Sequence, residues 1–230
     1  MTSNTVSVVL VHGAWADGSS WANVIRPLQE RGLHVIAAPI PLTSLSDDVK
    51  ALDHALERTT GPVVLGAHAY AGAVISATTH ERVRGLVFIA ALTPDEGETV
   101  AEVFYREQPH PQAPQLAPDS HGVIWMPDQG FPTAFAQNAS AEQAALFAAT
   151  QRPIAVACIQ EKAPKPAWKT KPSWYLVAEG DRMINPKTQH FLAQRMGART
   201  RVENVDHTPI ATAPKPVVEL FVEAVTATAR

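Results

Sequence analysis

Short apolar, β-branched runs alternate with longer amphipathic stretches along this chain, and no other feature narrows its fold as far. Val6 to Val11 (VSVVLV) ends at His12-Gly13 and reads as a buried strand. Comparable runs lie at His34–Ala38, Pro62–Ala67, Leu86–Ala90, Ser173–Ala178 and Thr200–Val205. Between them apolar residues recur at helical spacing. Trp21, Val24, Ile25 and Leu28 precede a stop at Gly32, and Pro27 should kink or shorten that helix. Val49, Leu52 and Leu56 follow a cap at Ser46, with Asp47 and Asp48 in the first turn where the helix dipole favours acids. A helix starts near Tyr70, and Val217 to Val225 forms the last one. Asn185, Pro186 and Gly197 supply the cap, first residue and stop of a helix over Pro186–Met196. Strands separated by helices pair in parallel and are covered on both faces, so the pattern predicts an α/β fold with six mainly parallel strands.

One stretch breaks the alternation. Asp95 to Lys171 is rich in proline, holds no strand-like run, and offers helix only near Thr99–Glu107 and Ala139–Ala149. Trp125, Phe131, Phe135 and Phe147 within it need burial, which suits a cap better than a linker. The expected organisation is a core of 1–94 and 172–230 with a cap insertion at 95–171. A length of 230 residues agrees, being about half again a common domain. Lys162, Lys165, Lys169 and Lys171 read as a solvated loop.

Composition then removes whole classes of function. With 19 basic and 22 acidic residues the net charge is −3, so no electrostatic footprint for nucleic acid or anionic lipid is expected. A hydrophobic fraction of 46% excludes general disorder. Cys158 stands alone, which rules out an internal disulfide or a multi-cysteine metal site and favours a buried structural thiol. No basic segment follows Met1, and no run of about 18 apolar residues occurs, so a soluble cytoplasmic chain without a membrane span is expected. Neither G-x-G-x-x-G, G-x-x-x-x-G-K nor H-E-x-x-H is present, so no nucleotide, metal or other cofactor is expected.

The sharpest local signal is Leu65-Gly66-Ala67-His68-Ala69-Tyr70-Ala71-Gly72, a strand turning directly into a helix. A nucleophile elbow needs small residues two positions either side of its apex, because backbones crowd there. Ala67 and Ala71 meet that need, yet the apex is Ala69, which carries no oxygen or sulfur. Together with VVLVHGAWADGSSW (8–21), PLTSLSDDV (41–49), LVFIAALTPDEGETV (86–100) and AEGDRMINP (178–186), this stretch resembles a bacterial α/β-hydrolase family related to plant esterases and hydroxynitrile lyases. The usual family elbow reads G-H-S-Y-G-G, so this chain departs at Ala67, Ala69 and Ala71.

The resemblance implies an α/β-hydrolase fold whose partners follow in the order nucleophile, acid, histidine. Asp181, in the D-x-x-x-x-P setting ending at Pro186, takes the acid's place and His207 the histidine's. The backbone N–H groups of Ala14 and Tyr70 are the implied oxyanion donors. Trp15, Trp125, Phe131 and Phe135 suggest an apolar substrate pocket. Asp206 should point away from His207 in extended backbone, Asp95 is a weaker candidate acid, and His12 and His68 read as structural.

Three accounts of Ala69 stay open. A serine esterase could carry an introduced serine-to-alanine change. A natural alanine could leave an enzyme that uses only an acid/base histidine and an oxyanion hole, as plant methyl ketone synthases of similar fold do with β-keto acids. A silent homologue could bind its ligand without turning it over. Three departures rather than one favour natural change, on the expectation that an alanine apex no longer needs a strained turn. The ligand expected is a small hydrophobic ester, ketone or β-keto acid, and a homodimer is left open.

Overall fold

The computed structural model describes residues 6–229. Strand β1 (Ser7–Val11) leads through a 3-10 turn at Gly18–Trp21 to α1 (Ala22–Gln29), then β2 (His34–Ala38), α2 (Leu45–Leu56), β3 (Val63–His68), α3 (Ala71–Ala77) and β4 (Val83–Ile89). The next stretch contains α4 (Val100–Phe104), β5 (Val123–Ile124), a π turn at Phe131–Phe135, α5 (Ala141–Thr150), β6 (Ile154–Ala155) and α6 (Val156–Gln160). The chain closes with β7 (Ser173–Ala178), α7 (Pro186–Arg195), β8 (Arg199–Glu203), α8 (Pro209–Thr212) and α9 (Pro214–Thr228). Six strands form one sheet in the order β2-β1-β3-β4-β7-β8, and every pair is parallel.

Side chains alternate across a strand, and the two faces are therefore written into adjacent residues. Val8 and Leu10 of β1 pack with Trp21 of the 3-10 turn, Val24 and Leu28 of α1, and Val217, Leu220 and Phe221 of α9. Val9 and Val11 pack on the other face, with Leu52 and Leu56 of α2, Val74 of α3 and Leu192 of α7. The apolar residues of the 95–171 segment join this second cluster, among them Val100, Ile124, Phe131 and Phe135.

Several local expectations change. Ser44, not Ser46, caps α2: its side chain accepts from the Asp47 N–H at 3.0 Å, because Ser44 is still extended while Ser46 already lies in the first turn. The helix containing Pro27 is only eight residues long, with a 3-10 turn before it. The 95–171 segment does hold strand, since β5 and β6 pair antiparallel over two residues. That pairing also explains Trp125. Ile124 and Met126 point inward at 6% and 2% exposure, so Trp125 between them points out and is 48% exposed. Of the four lysines, Lys169 is engaged, pairing with Asp95 at 2.5 Å. No helix among the described residues is long and apolar enough to cross a membrane.

Candidate active site

The parallel register sets the carboxyl ends of β1 and β3 level, Val11 beside Ala67, so His12-Gly13 passes directly beside the turn after β3. At that turn Ala69 adopts φ +52°, in the left-handed region. An L-residue there carries roughly 1–2 kcal/mol of steric strain. The neighbours hold it: Ala69 N–H donates to Ile89 O at 3.3 Å, and Ala69 O accepts from Leu92 N–H at 3.0 Å and Gly72 N–H at 3.1 Å. Crowding is severe. A Cβ on Gly13 would lie 3.1 Å from the Ala69 Cβ, and one on Gly72 only 2.4 Å from the Leu92 carbonyl oxygen. The expectation that an alanine apex relaxes the turn is therefore corrected. The packing that imposes the strain comes from β4, Leu92 and Gly72, and exchanging the apex side chain does not remove it.

Two further loops reach this point from β7 and β8. Asp181 and His207 are both 2% exposed, and His207 Nδ1 lies 2.8 Å from Asp181 Oδ2. The carboxylate also accepts from Met183 N–H (2.7 Å) and Ile184 N–H (2.9 Å) at Oδ1, and from Gln189 Nε2 (2.8 Å) at Oδ2. Four bonds satisfy a buried charge that would otherwise be prohibitive. A carboxylate can only accept, so Nδ1 of His207 donates to it and Nε2 is the ring nitrogen left for other partners.

His68, from the end of β3, steadies the same loop by donating from Nε2 to the His207 carbonyl at 2.7 Å. Burial holds its pKa down to about 3, with the neighbouring His207 adding to the effect, so the ring is neutral. His12 is likewise held down by burial and bonds Gly13 O at 2.9 Å. Asp206 turns away, accepting from Asn138 N–H, Thr208 N–H and the Thr212 hydroxyl. Asp95 is held at the surface by Lys169.

Ala14, Ala69, Tyr70 and His207 line one cavity of about 620 Å3, counting its mouth. The backbone N–H groups of Ala14 and Tyr70 donate no hydrogen bond among the described residues. Trp15 forms part of the wall, its indole N–H fixed to Ile124 O at 2.9 Å. The rest comes from residues the sequence pattern did not single out: Val100 and Phe104 of α4 with Tyr105, Ile124, Ile154 and Ile159 from the same segment, and Met183 and Ile184 just after Asp181. For Val100 and Phe104 the signal lay in the Thr99-Glu102 capping box, which places a helix with both on one face. No Lys, Arg, Asp, Glu, Asn or Gln is part of that wall.

The other expected wall residues are placed differently. Trp125 is outside, for the reason given above. Phe131 is fully buried without reaching the cavity, and Phe135 packs behind the histidines, its ring 5.4 Å from His207 and 6.3 Å from His68. Aromatic size indicated burial but not the side of the site on which each ring would land. Cys158 is buried on α6 beside Asp48, and burial pushes its thiol up to about 12, away from reactivity. Among the described residues no three His, Cys, Asp or Glu side chains converge as a metal would require.

The family model described as "Alpha/beta hydrolase family" matches residues 8–220. Solved structures agree in fold. A polyneuridine aldehyde esterase superposes with a TM-score of 0.83 at 18% identity, covering 95% of this chain and 98% of the other. A pyrethroid hydrolase from Sphingobium faniae gives 0.81 at 21%, with coverage of 98% and 99%. An extracellular alpha/beta-hydrolase from a Paenibacillus species gives 0.77 at 22%, with coverage of 95% and 98%. Among curated proteins none matches the chain.

Proposed function

This chain belongs to the alpha/beta hydrolase family, and from that premise we propose that it is an enzyme working without a serine nucleophile, by acid–base chemistry at His207. One observation carries the reading. An imidazole fixed by a buried carboxylate at 2.8 Å turns its free nitrogen toward an apolar cavity whose facing elbow residue is an alanine. A protein that only binds has no use for an imidazole held in one tautomer.

His207 Nε2 takes a proton from a water or from carbon next to a carbonyl, and Asp181 stabilises the imidazolium formed. Negative charge then gathers on the carbonyl oxygen, where the N–H groups of Ala14 and Tyr70 can meet it. The imidazolium returns its proton to the leaving group, or to carbon if none departs. The wall favours a small neutral ester or ketone. A β-keto acid stands second, since its carboxylate would meet no cationic side chain there.

The test is a panel of neutral esters, ketones, hydroxynitriles and β-keto acids on the unchanged chain and His207→Ala. Whatever turnover the panel reveals should fall by roughly 10²–10⁴ in the variant. Turnover that survives takes the histidine out of the mechanism. A second reading, a serine esterase with alanine in the serine's place, is favoured by the strained apex at φ +52°, a geometry suited to presenting a nucleophile. On that reading Ala69→Ser raises p-nitrophenyl acetate hydrolysis by orders of magnitude, and no gain overturns it.

A further inference from the structure

We propose that Asp48 is the positioning residue of the oxyanion hole, holding the Tyr70 N–H in place through the Tyr70 phenol. The inference rests on the reading of Ala14 and Tyr70 as oxyanion donors.

Asp48 is fully buried on α2, and no cation pairs with it among the described residues. A buried carboxylate without a cation is an expensive way to fill space, and an apolar side chain would pack there at less cost. What Asp48 does instead is gather three donors from separate parts of the chain. Oδ1 accepts from the Leu42 N–H at 2.7 Å; Oδ2 accepts from the Tyr70 hydroxyl at 2.7 Å and from the Cys158 thiol at 3.6 Å. Burial, and then the Asp48 charge, push the Tyr70 phenol well above its ordinary pKa, so it remains a donor at any working pH.

The consequence for the site follows from position. Tyr70 directly follows the strained apex, and it carries the only polar side chain in 69–72. Alanine at the apex has nothing with which to grip a neighbour. The phenol, anchored at its far end, is therefore a side-chain hydrogen bond that resists relaxation of the turn and rotation of the Tyr70 peptide away from the cavity.

The same carboxylate reaches the second donor by a longer route. Leu42, itself left-handed at φ +63°, accepts from the Ala155 N–H at 3.0 Å. Beside it the Arg152 guanidinium bonds Ile40 O at 3.1 Å and Pro41 O at 3.4 Å. The Arg152 carbonyl in turn accepts from the Trp15 N–H at 3.0 Å, one residue beyond Ala14.

The probe is 4-nitrophenol, whose phenolate is read by absorbance. An oxyanion hole binds phenolate in preference to phenol, so the bound probe ionises at lower pH than the free one. Asp48→Asn keeps an acceptor for the Leu42 N–H but turns a donor toward the Tyr70 hydroxyl. Tyr70→Phe removes the phenol alone. Both variants should lose roughly tenfold of the preference for phenolate over phenol, as a displaced donor would produce. A merely structural role lowers the thermal midpoint and leaves that preference unmoved, and this result overturns the proposal. No preference for phenolate in the unchanged chain overturns the oxyanion reading, and the role of Asp48 with it. If Asp48→Asn does not fold, Tyr70→Phe decides between the same outcomes.

Discussion

The elbow and the Asp181–His207 pair face each other across one cavity, and they have kept different things. The pair holds titratable side-chain atoms, with the carboxylate bonded four times and the imidazole fixed at 2.8 Å. The elbow holds only its shape: Ala69 is strained at φ +52° with no atom to present. Strain at an alanine presents no reacting side-chain atom. It makes sense if the turn also aims a backbone N–H, because the Tyr70 peptide is oriented by the same dihedrals. On the proposed reading the two regions differ in what their geometry serves, side-chain chemistry in one and main-chain chemistry in the other.

The largest effect that would break this contrast is expected at the pair. Asp181→Asn cannot hold the Nδ1-protonated tautomer against an amide that also donates, and turnover on the best panel substrate should drop by about 10³–10⁴. A loss below tenfold would mean that the carboxylate does not orient the ring.

Next comes the packing that imposes the elbow. Gly72→Ala puts a Cβ 2.4 Å from the Leu92 oxygen, and Leu92 N–H is itself a bond to the apex. A destabilisation of about 1–3 kcal/mol is expected from urea unfolding. An unchanged midpoint would show that the loop yields and imposes nothing.

A third prediction concerns pH. His68 is held near 3 in the folded chain and titrates near 6.5 when unfolded. Between those values the unfolded chain binds the extra proton, so stability is complete above about pH 6.5 and is lost as pH falls toward 3. The limiting slope is about 1.4 kcal/mol per pH unit for one such group, and His12, also lowered, adds to it. Asp48, raised by burial, works in the opposite direction near the carboxylate range. His68→Gln keeps a donor for the His207 carbonyl and should flatten the dependence between pH 4 and 6.5. An equally steep profile would assign it elsewhere.

The smallest effect sharpens the elbow alone. Ala69→Gly relieves roughly 1–2 kcal/mol of strain and adds roughly 0.5–1 kcal/mol of unfolded-state entropy, so a net gain near 0.5 kcal/mol is expected in thermal unfolding. A loss would mean that the Ala69 methyl contributes more by packing than its strain takes away.

Much of this could be read in advance, for reasons that are local. Ser173–Ala178 was legible as β7 to the residue because an apolar run between turn signals has one extended solution. Asn185, Pro186 and Gly197 bounded α7 because capping uses only nearby backbone. Resemblance and chain order singled out Asp181 and His207, which the fold brings to 2.8 Å. Ser44 in place of Ser46 was a two-residue miss, since both hydroxyls precede the same apolar stripe. The cavity wall was harder. Trp125 is exposed and Phe131 lies off the site, while Phe104, Tyr105 and Ile159 line it. In a segment without long periodic elements, short local patterns fix the direction of only a few side chains.

By itself the sequence determined the alternating elements, the two faces of the sheet, the alanine at the apex of the turn after β3 and the order of Asp181 and His207 along the chain. Each of these depends on spacing along the chain, which local propensity and patterning can express. Only the tertiary structure decided that the alanine apex stays strained, that Asp48 sits behind it, and that α4 and α6 rather than Trp125 close the cavity. Those outcomes arise where segments far apart in the chain compete for the same volume and the same hydrogen-bond donors, and that competition is settled only when all of them are packed together.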